Sequence, residues 1–135
     1  SIEAFNRGGY VVTETEGHSP DVVLVATGSE LQLAVDAKAK LEETGYKVRV
    51  VSLPCRERYL QQPRSYRAAL IPDSACKVVI EAGVRFGWVE VVGRNALFIT
   101  QDAYGASAPA AVLMEVLGFT PDKIAQRVLA WLKGE

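Results

Sequence analysis

Apolar positions along this chain change period several times, and each change marks an element. Val22-Val23-Leu24-Val25-Ala26 is an unbroken apolar run, the pattern of a strand covered on both faces. Leu31, Ala34, Val35 and Leu41 then recur at helical spacing, predicting a helix over 29–44 that Gly45 closes. Residues 48–53 form another, largely apolar strand that is stopped by Pro54. Strand, helix and strand in that order imply a right-handed crossover and a parallel sheet. Ahead of this unit, residues 10–13 form a short β-favouring run that follows Gly8-Gly9, and the polar stretch 14–21, with Gly17 and Pro20, reads as a turn.

The stretch 55–71 is polar, carries four arginines and is broken by Pro63, which predicts one or two short helices. Val78-Val79-Ile80 is a third parallel strand, residues 83–92 a short helix carrying Trp88, and Leu97-Phe98-Ile99 a fourth parallel strand. Two helices are expected to finish the chain. Ser107 can cap the first, with Val112, Leu113, Val116 and Leu117 facing inward until Gly118. The second starts at Thr120-Pro121, a capping residue followed by proline at the first helical position, and Ile124, Val128, Trp131 and Leu132 form its stripe. Strands alternating with helices predict an α/β fold, a three-layer α/β/α sandwich.

Length and composition narrow the class of function. The 135 residues suit one domain with a real core, and 49% apolar with 23% charged residues fits neither a disordered chain nor a membrane protein. A net charge of −1 gives no electrostatic reason to expect nucleic acid or an anionic membrane as a partner. The apolar runs are too short to cross a bilayer, and the first ten residues lack a signal-peptide pattern, so a cytoplasmic location is expected. Cys55 and Cys76 have neither zinc-site nor CxxC spacing and read as idle thiols in a reducing compartment.

Candidate chemistry is sparse. Thr27-Gly28-Ser29-Glu30 lies where a buried strand turns into a helix. Ser29 and Gln32 fit a capping box, and the free N–H groups of that turn could hold an anion, although Glu30 would repel it. A second such turn, Tyr104-Gly105-Ala106-Ser107-Ala108-Pro109, sits on the carboxyl edge of the sheet, where α/β proteins bind ligands. Thr27, Gly28, Ser29, Gly105 and Ser107 are therefore the candidate anion-binding residues, with helix capping as the competing reading. Ser107 is not a convincing nucleophile, because GxSxG is absent and His18, the single histidine, belongs to the first turn. Glu81 follows a buried strand and could be partly desolvated, or could bond the backbone of the next turn. Arg56, Arg58, Arg64 and Arg67, against Glu57, could bind phosphate, or form a solvated face or contacts to a neighbouring domain. Phe86, Trp88 and Tyr104 suit an interface or the core equally. No nucleophile–base pair, metal cluster or cofactor loop is visible in the sequence.

Several short motifs nevertheless stand in a specific order: Gly8-Gly9-Tyr10-Val11, Val25-Ala26-Thr27-Gly28-Ser29-Glu30, Val51-Ser52-Leu53-Pro54, Tyr66-Arg67 ahead of Ile71-Pro72, Glu81-Ala82-Gly83, Gly105-Ala106-Ser107-Ala108-Pro109 and Gly118-Phe119-Thr120. In that order and spacing the chain resembles the C-terminal domain of transketolase over nearly its whole length. The resemblance implies a five-stranded, mostly parallel sheet with one antiparallel edge strand. It also implies residues 1–9 as a linker from a preceding domain and 10–135 as the domain itself. It further implies a parent homodimer that uses thiamine diphosphate and Mg²⁺ to move a two-carbon ketol unit between sugar phosphates in the pentose phosphate pathway. The family's catalytic, cofactor and metal residues belong to other domains, so none is carried onto this chain; its expected partners are those domains and the dimer mate. The stretch CRERYLQQPR, residues 55–64, is the least family-like part. Two other readings compete: the partner-docking domain of a 2-oxo acid dehydrogenase β-subunit, and a sensor holding an anion or sugar phosphate at the Ser29 and Ser107 helix starts.

Overall fold

The computed structural model describes residues 6–16, 19–28, 30–81, 88–93, 95–100, 113–116 and 120–134. The strands are β1 (Tyr10–Glu14), β2 (Val22–Ala26), β3 (Val48–Ser52), β4 (Cys76–Glu81), β5 (Ala96–Thr100) and β6 (Leu113–Val116). The helices are α1 (Glu30–Glu42), α2 (Arg56–Leu60), α3 (Arg64–Leu70), α4 (Val89–Val92) and α5 (Pro121–Leu132). All strands join one sheet in the order β1-β3-β2-β4-β5-β6, and only the β1–β3 pair is antiparallel. A register shift between Val11 and Thr13 bends the β1 edge, which disfavours pairing with a further chain.

The unbroken apolar runs follow from burial on both faces. Val22, Leu24 and Ala26 point into one core with Val78, Ile80, Leu97 and Ile99, under Ala34, Ala37 and Leu41 of α1 and Ile124 and Val128 of α5. Val23, Val25, Val79 and Phe98 point into the other, under Tyr59 of α2, Leu70 of α3 and Val92 of α4. This is the expected three-layer sandwich. The Thr120 side chain caps α5 by accepting from the Lys123 N–H at 3.2 Å, as the Thr-Pro pair predicts. The segment 55–71 forms two short helices, also as expected.

One expectation fails. Residues 113–116 are not helical: they pair in parallel with β5, from Leu97↔Leu113 to Thr100↔Val116, and add a short sixth strand beyond the five expected. Leu113-Met114-Glu115-Val116 is too short for its pattern to separate helix from strand, and the open edge of β5 supplies hydrogen-bonding partners that a helix would leave unsatisfied. Ser107 and Gly118, the ends proposed for that helix, lie outside the described residues.

Tyr59 links the second layer together. Its ring is 2% exposed and its hydroxyl donates to the Arg67 carbonyl at 3.2 Å. Burial pushes its phenol up from the ordinary 10 to about 12, against a smaller opposing effect of Arg67. A folded-state value above the unfolded one stabilises fully below pH 10, and the contribution disappears as pH rises through about 12. Ultraviolet difference titration should therefore show one tyrosine ionising near pH 12, with stability to urea falling between these values. A Tyr59→Phe variant that keeps the late step would contradict the assignment.

Candidate functional site

The chain leaves β2 through α1 to β3 on one side of the sheet, whereas β4 continues to β5 on the other. Adjacent β2 and β4 thus send their connections apart, which opens a crevice at their carboxyl ends, the usual ligand position in open α/β sheets. Val22↔Cys76 to Ala26↔Ile80 are in register, so Thr27 and Glu81 face each other at the rim. The Thr27 hydroxyl donates to Glu81 Oε2 at 3.0 Å, tying the two strand ends together. Gly28 adopts φ +57°, a left-handed conformation that other residues rarely tolerate, and turns the chain into α1.

Two features of this turn oppose anion binding. The Glu30 N–H donates to the Thr27 carbonyl and the Leu31 N–H to the Gly28 carbonyl, both at 3.2 Å, so two of the donors expected to face a ligand are engaged. The carboxylates of Glu30, which is 9% exposed, and Glu81 also stand at this edge. Of the candidate residues, Thr27 and Gly28 are placed together here, whereas Ser29, Gly105 and Ser107 lie outside the described residues, as does His18. The Gln32 amide, cast as one arm of a capping box, instead donates forward to Asp36 Oδ1 at 3.0 Å.

The other candidates divide by their partners. The Arg56 guanidinium lies 4.9 Å from the centre of the Trp88 ring, and Arg67 Nε donates to the Gln62 carbonyl at 3.2 Å. Trp88 is 3% exposed, which places it in the core rather than at an interface; Phe86 and Tyr104 lie outside the described residues. Both cysteines are free and half-buried, and burial raises the Cys76 thiol pKa, which lowers its reactivity. Among the described residues no group of three or more His, Cys, Asp and Glu could hold a metal ion. A single hydroxyl–carboxylate pair joins the two strand ends.

Sequence reasoning missed three polar residues of structural weight. Glu30 is buried at the start of α1, the Tyr66 hydroxyl donates to the Gly9 carbonyl at 2.7 Å, and Arg49 spans two layers. The signal for Arg49 was legible in principle: a charged residue inside an apolar strand must find partners.

Comparison with known proteins places this geometry. Residues 8–120 match the family model described as the transketolase-like TK C-terminal domain. A transketolase of Aquifex aeolicus is 45% identical over 130 residues, covering 96% of this chain and 19% of that protein. Among solved structures, the transketolase of Leishmania mexicana superposes with a TM-score of 0.71 at 37% identity, over 94% of this chain and 18% of its own. A Pichia stipitis transketolase in complex with sedoheptulose 7-phosphate gives 0.72 at 28% identity, over all of this chain and 20% of its own. The chain spans about a fifth of the length of these relatives.

Proposed function

The chain belongs to the transketolase C-terminal domain family, and we propose that it acts as the non-catalytic, dimer-supporting domain of a transketolase. The observation that carries this reading is the match across residues 8–120. That match favours the transketolase family over the 2-oxo acid dehydrogenase alternative.

In this reading the parent enzyme transfers a two-carbon ketol unit between sugar phosphates. Thiamine diphosphate and Mg²⁺ are held by its other domains, in a cytoplasmic homodimer of the pentose phosphate pathway. Residues 1–9 are the approach from the preceding domain and 10–135 the domain itself, with Gly8 and Gly9 already seated on α2. No helix among the described residues is long and apolar enough to cross a membrane. The crevice at Thr27 and Glu81 then serves to hold strand ends in place; its engaged N–H groups and two carboxylates favour that role over anion sensing.

The pure chain should unfold cooperatively, show no heat of thiamine diphosphate binding with Mg²⁺ present, and transfer no ketol groups. Turnover by chain free of host enzyme would defeat the proposal. Deleting the equivalent residues from a parent transketolase should weaken its dimer, and an unchanged dimer dissociation constant would remove the supporting role.

A further inference from the structure

Outside the sheet edge, the outer face of the second helix layer carries an open cleft of about 330 Å³. Its exposed lining is mainly polar, with Arg64, Arg67 and Asp73 supplying charge around Tyr59, Ile71 and Val91. That volume lies in the range of small-molecule sites, and a polar lining suits a charged, hydroxylated ligand.

The charged groups are not consumed by one another. Arg67 spends Nε on the Gln62 carbonyl, which fixes the side chain and leaves its two Nη groups outside that bond. No hydrogen bond or ion pair engages the Arg64 guanidinium or the Asp73 carboxylate among the described residues. Two guanidiniums and one carboxylate lining the same cleft without an ion pair form a split recognition surface. The guanidiniums suit a dianionic phosphate, which they can hold through paired N–H bonds, whereas the carboxylate repels it and accepts only from donors. A ligand that satisfies both ends carries a phosphate at one end and hydroxyl groups at the other.

We propose that this cleft binds a small organic phosphomonoester bearing hydroxyl donors, with Arg64 and Arg67 on the phosphate and Asp73 on a hydroxyl. The cleft shares no lining residue with the β2–β4 strand ends and does not depend on the family assignment, so either reading can fail alone. A concave pocket with both signs of charge favours a small ligand over the flat acidic surface of another protein.

The test is a titration of the full chain with glycerol 3-phosphate, inorganic phosphate and glycerol, following the amide resonances of Ala68, Asp73 and Val91. Saturable shifts are expected with both phosphates, tighter for glycerol 3-phosphate, and none with glycerol. Arg64→Gln should weaken both phosphates by about tenfold, the loss of one charge-assisted hydrogen bond, with an unchanged melting temperature because no hydrogen bond or ion pair holds the Arg64 side chain among the described residues. Asp73→Asn should abolish the preference for glycerol 3-phosphate over phosphate without weakening phosphate itself. Shifts that stay linear to about 50 mM, that sodium chloride of equal ionic strength reproduces, or that saturate with unchanged affinity in Arg64→Gln would overturn the proposal. So would binding of poly-glutamate at these amides in the absence of any response to the phosphates, which would assign the face to an acidic protein surface.

Discussion

Replacing Gly8 with alanine lowers the stability of this chain by about 3 kcal/mol or more, the sum of two costs that act at one atom. Gly8 adopts φ +87°, where an L-residue loses roughly 1–2 kcal/mol. Its missing Cβ would also stand 2.4 Å from the Cys55 carbonyl oxygen and 2.5 Å from the Tyr59 nitrogen. Both are backbone atoms of the first turn of α2, and Tyr59 N–H donates to that same Cys55 carbonyl at 3.1 Å, so neither can withdraw without opening the helix. Overpacking of this kind costs about 1–3 kcal/mol. Gly45→Ala separates the two effects, because Gly45 has φ +95° with open space around it and should lose only the conformational part. Gly9→Ala should also cost stability, since its Cβ would meet the buried Leu53 Cδ1 at 2.7 Å and the buried Tyr59 ring at 3.2 Å. Urea denaturation at constant slope measures all three. A Gly8→Ala loss no larger than that of Gly45→Ala would show that the lead-in is not seated on α2.

Much of this architecture was readable because burial and periodicity agree in the middle of the chain. The β-branched run Val22-Val23-Leu24-Val25-Ala26, short and preceded by Pro20, reads as a strand covered on both faces, and Leu41 closing a helix before Gly45 points the chain back to the sheet. The sixth strand was not readable, because Leu113, Val116 and Leu117 stand at helical spacing in the sequence and pairing with the free edge of β5 overrides that pattern. At the candidate site, the meeting of Thr27 and Glu81 was hidden by the 54 positions that separate them in sequence. The strand order that brings β2 beside β4 follows from neither residue. Glu30 shows a different limit: a glutamate in the first turn of a helix reads as a solvated partner for the helix dipole, and only the packing shows that it is buried. The arginine cleft was half-visible. The density of cations over 55–71 was readable, but not that Arg56 lies on Trp88 while the Arg64 side chain has no partner among the described residues.

The second large effect falls on Arg49, the one charged residue within β3. Its side chain is 13% exposed and satisfies groups from two other elements. Nε and Nη2 both reach Glu14 Oε1 at 2.9 Å, across to β1, and Nη1 donates to the Ala69 and Leu70 carbonyls at 2.7 and 2.9 Å. Those carbonyls end α3, where a cation also meets the negative end of the helix dipole. Arg49→Met keeps most of the packing but leaves these carbonyls short of a donor, and should cost about 2–3 kcal/mol. The Glu14 arm contributes the smaller share, because that carboxylate is 40% exposed and water replaces its partner. Glu14→Gln should therefore cost under about 1 kcal/mol and lose its effect in high salt. Arg49→Lys discriminates further: one ammonium cannot span a carboxylate on β1 and two carbonyls on α3, so it should recover less than half of the loss. Full rescue by lysine would mean that net charge alone holds β1 and α3 to the sheet, and that the forked geometry of the guanidinium is dispensable.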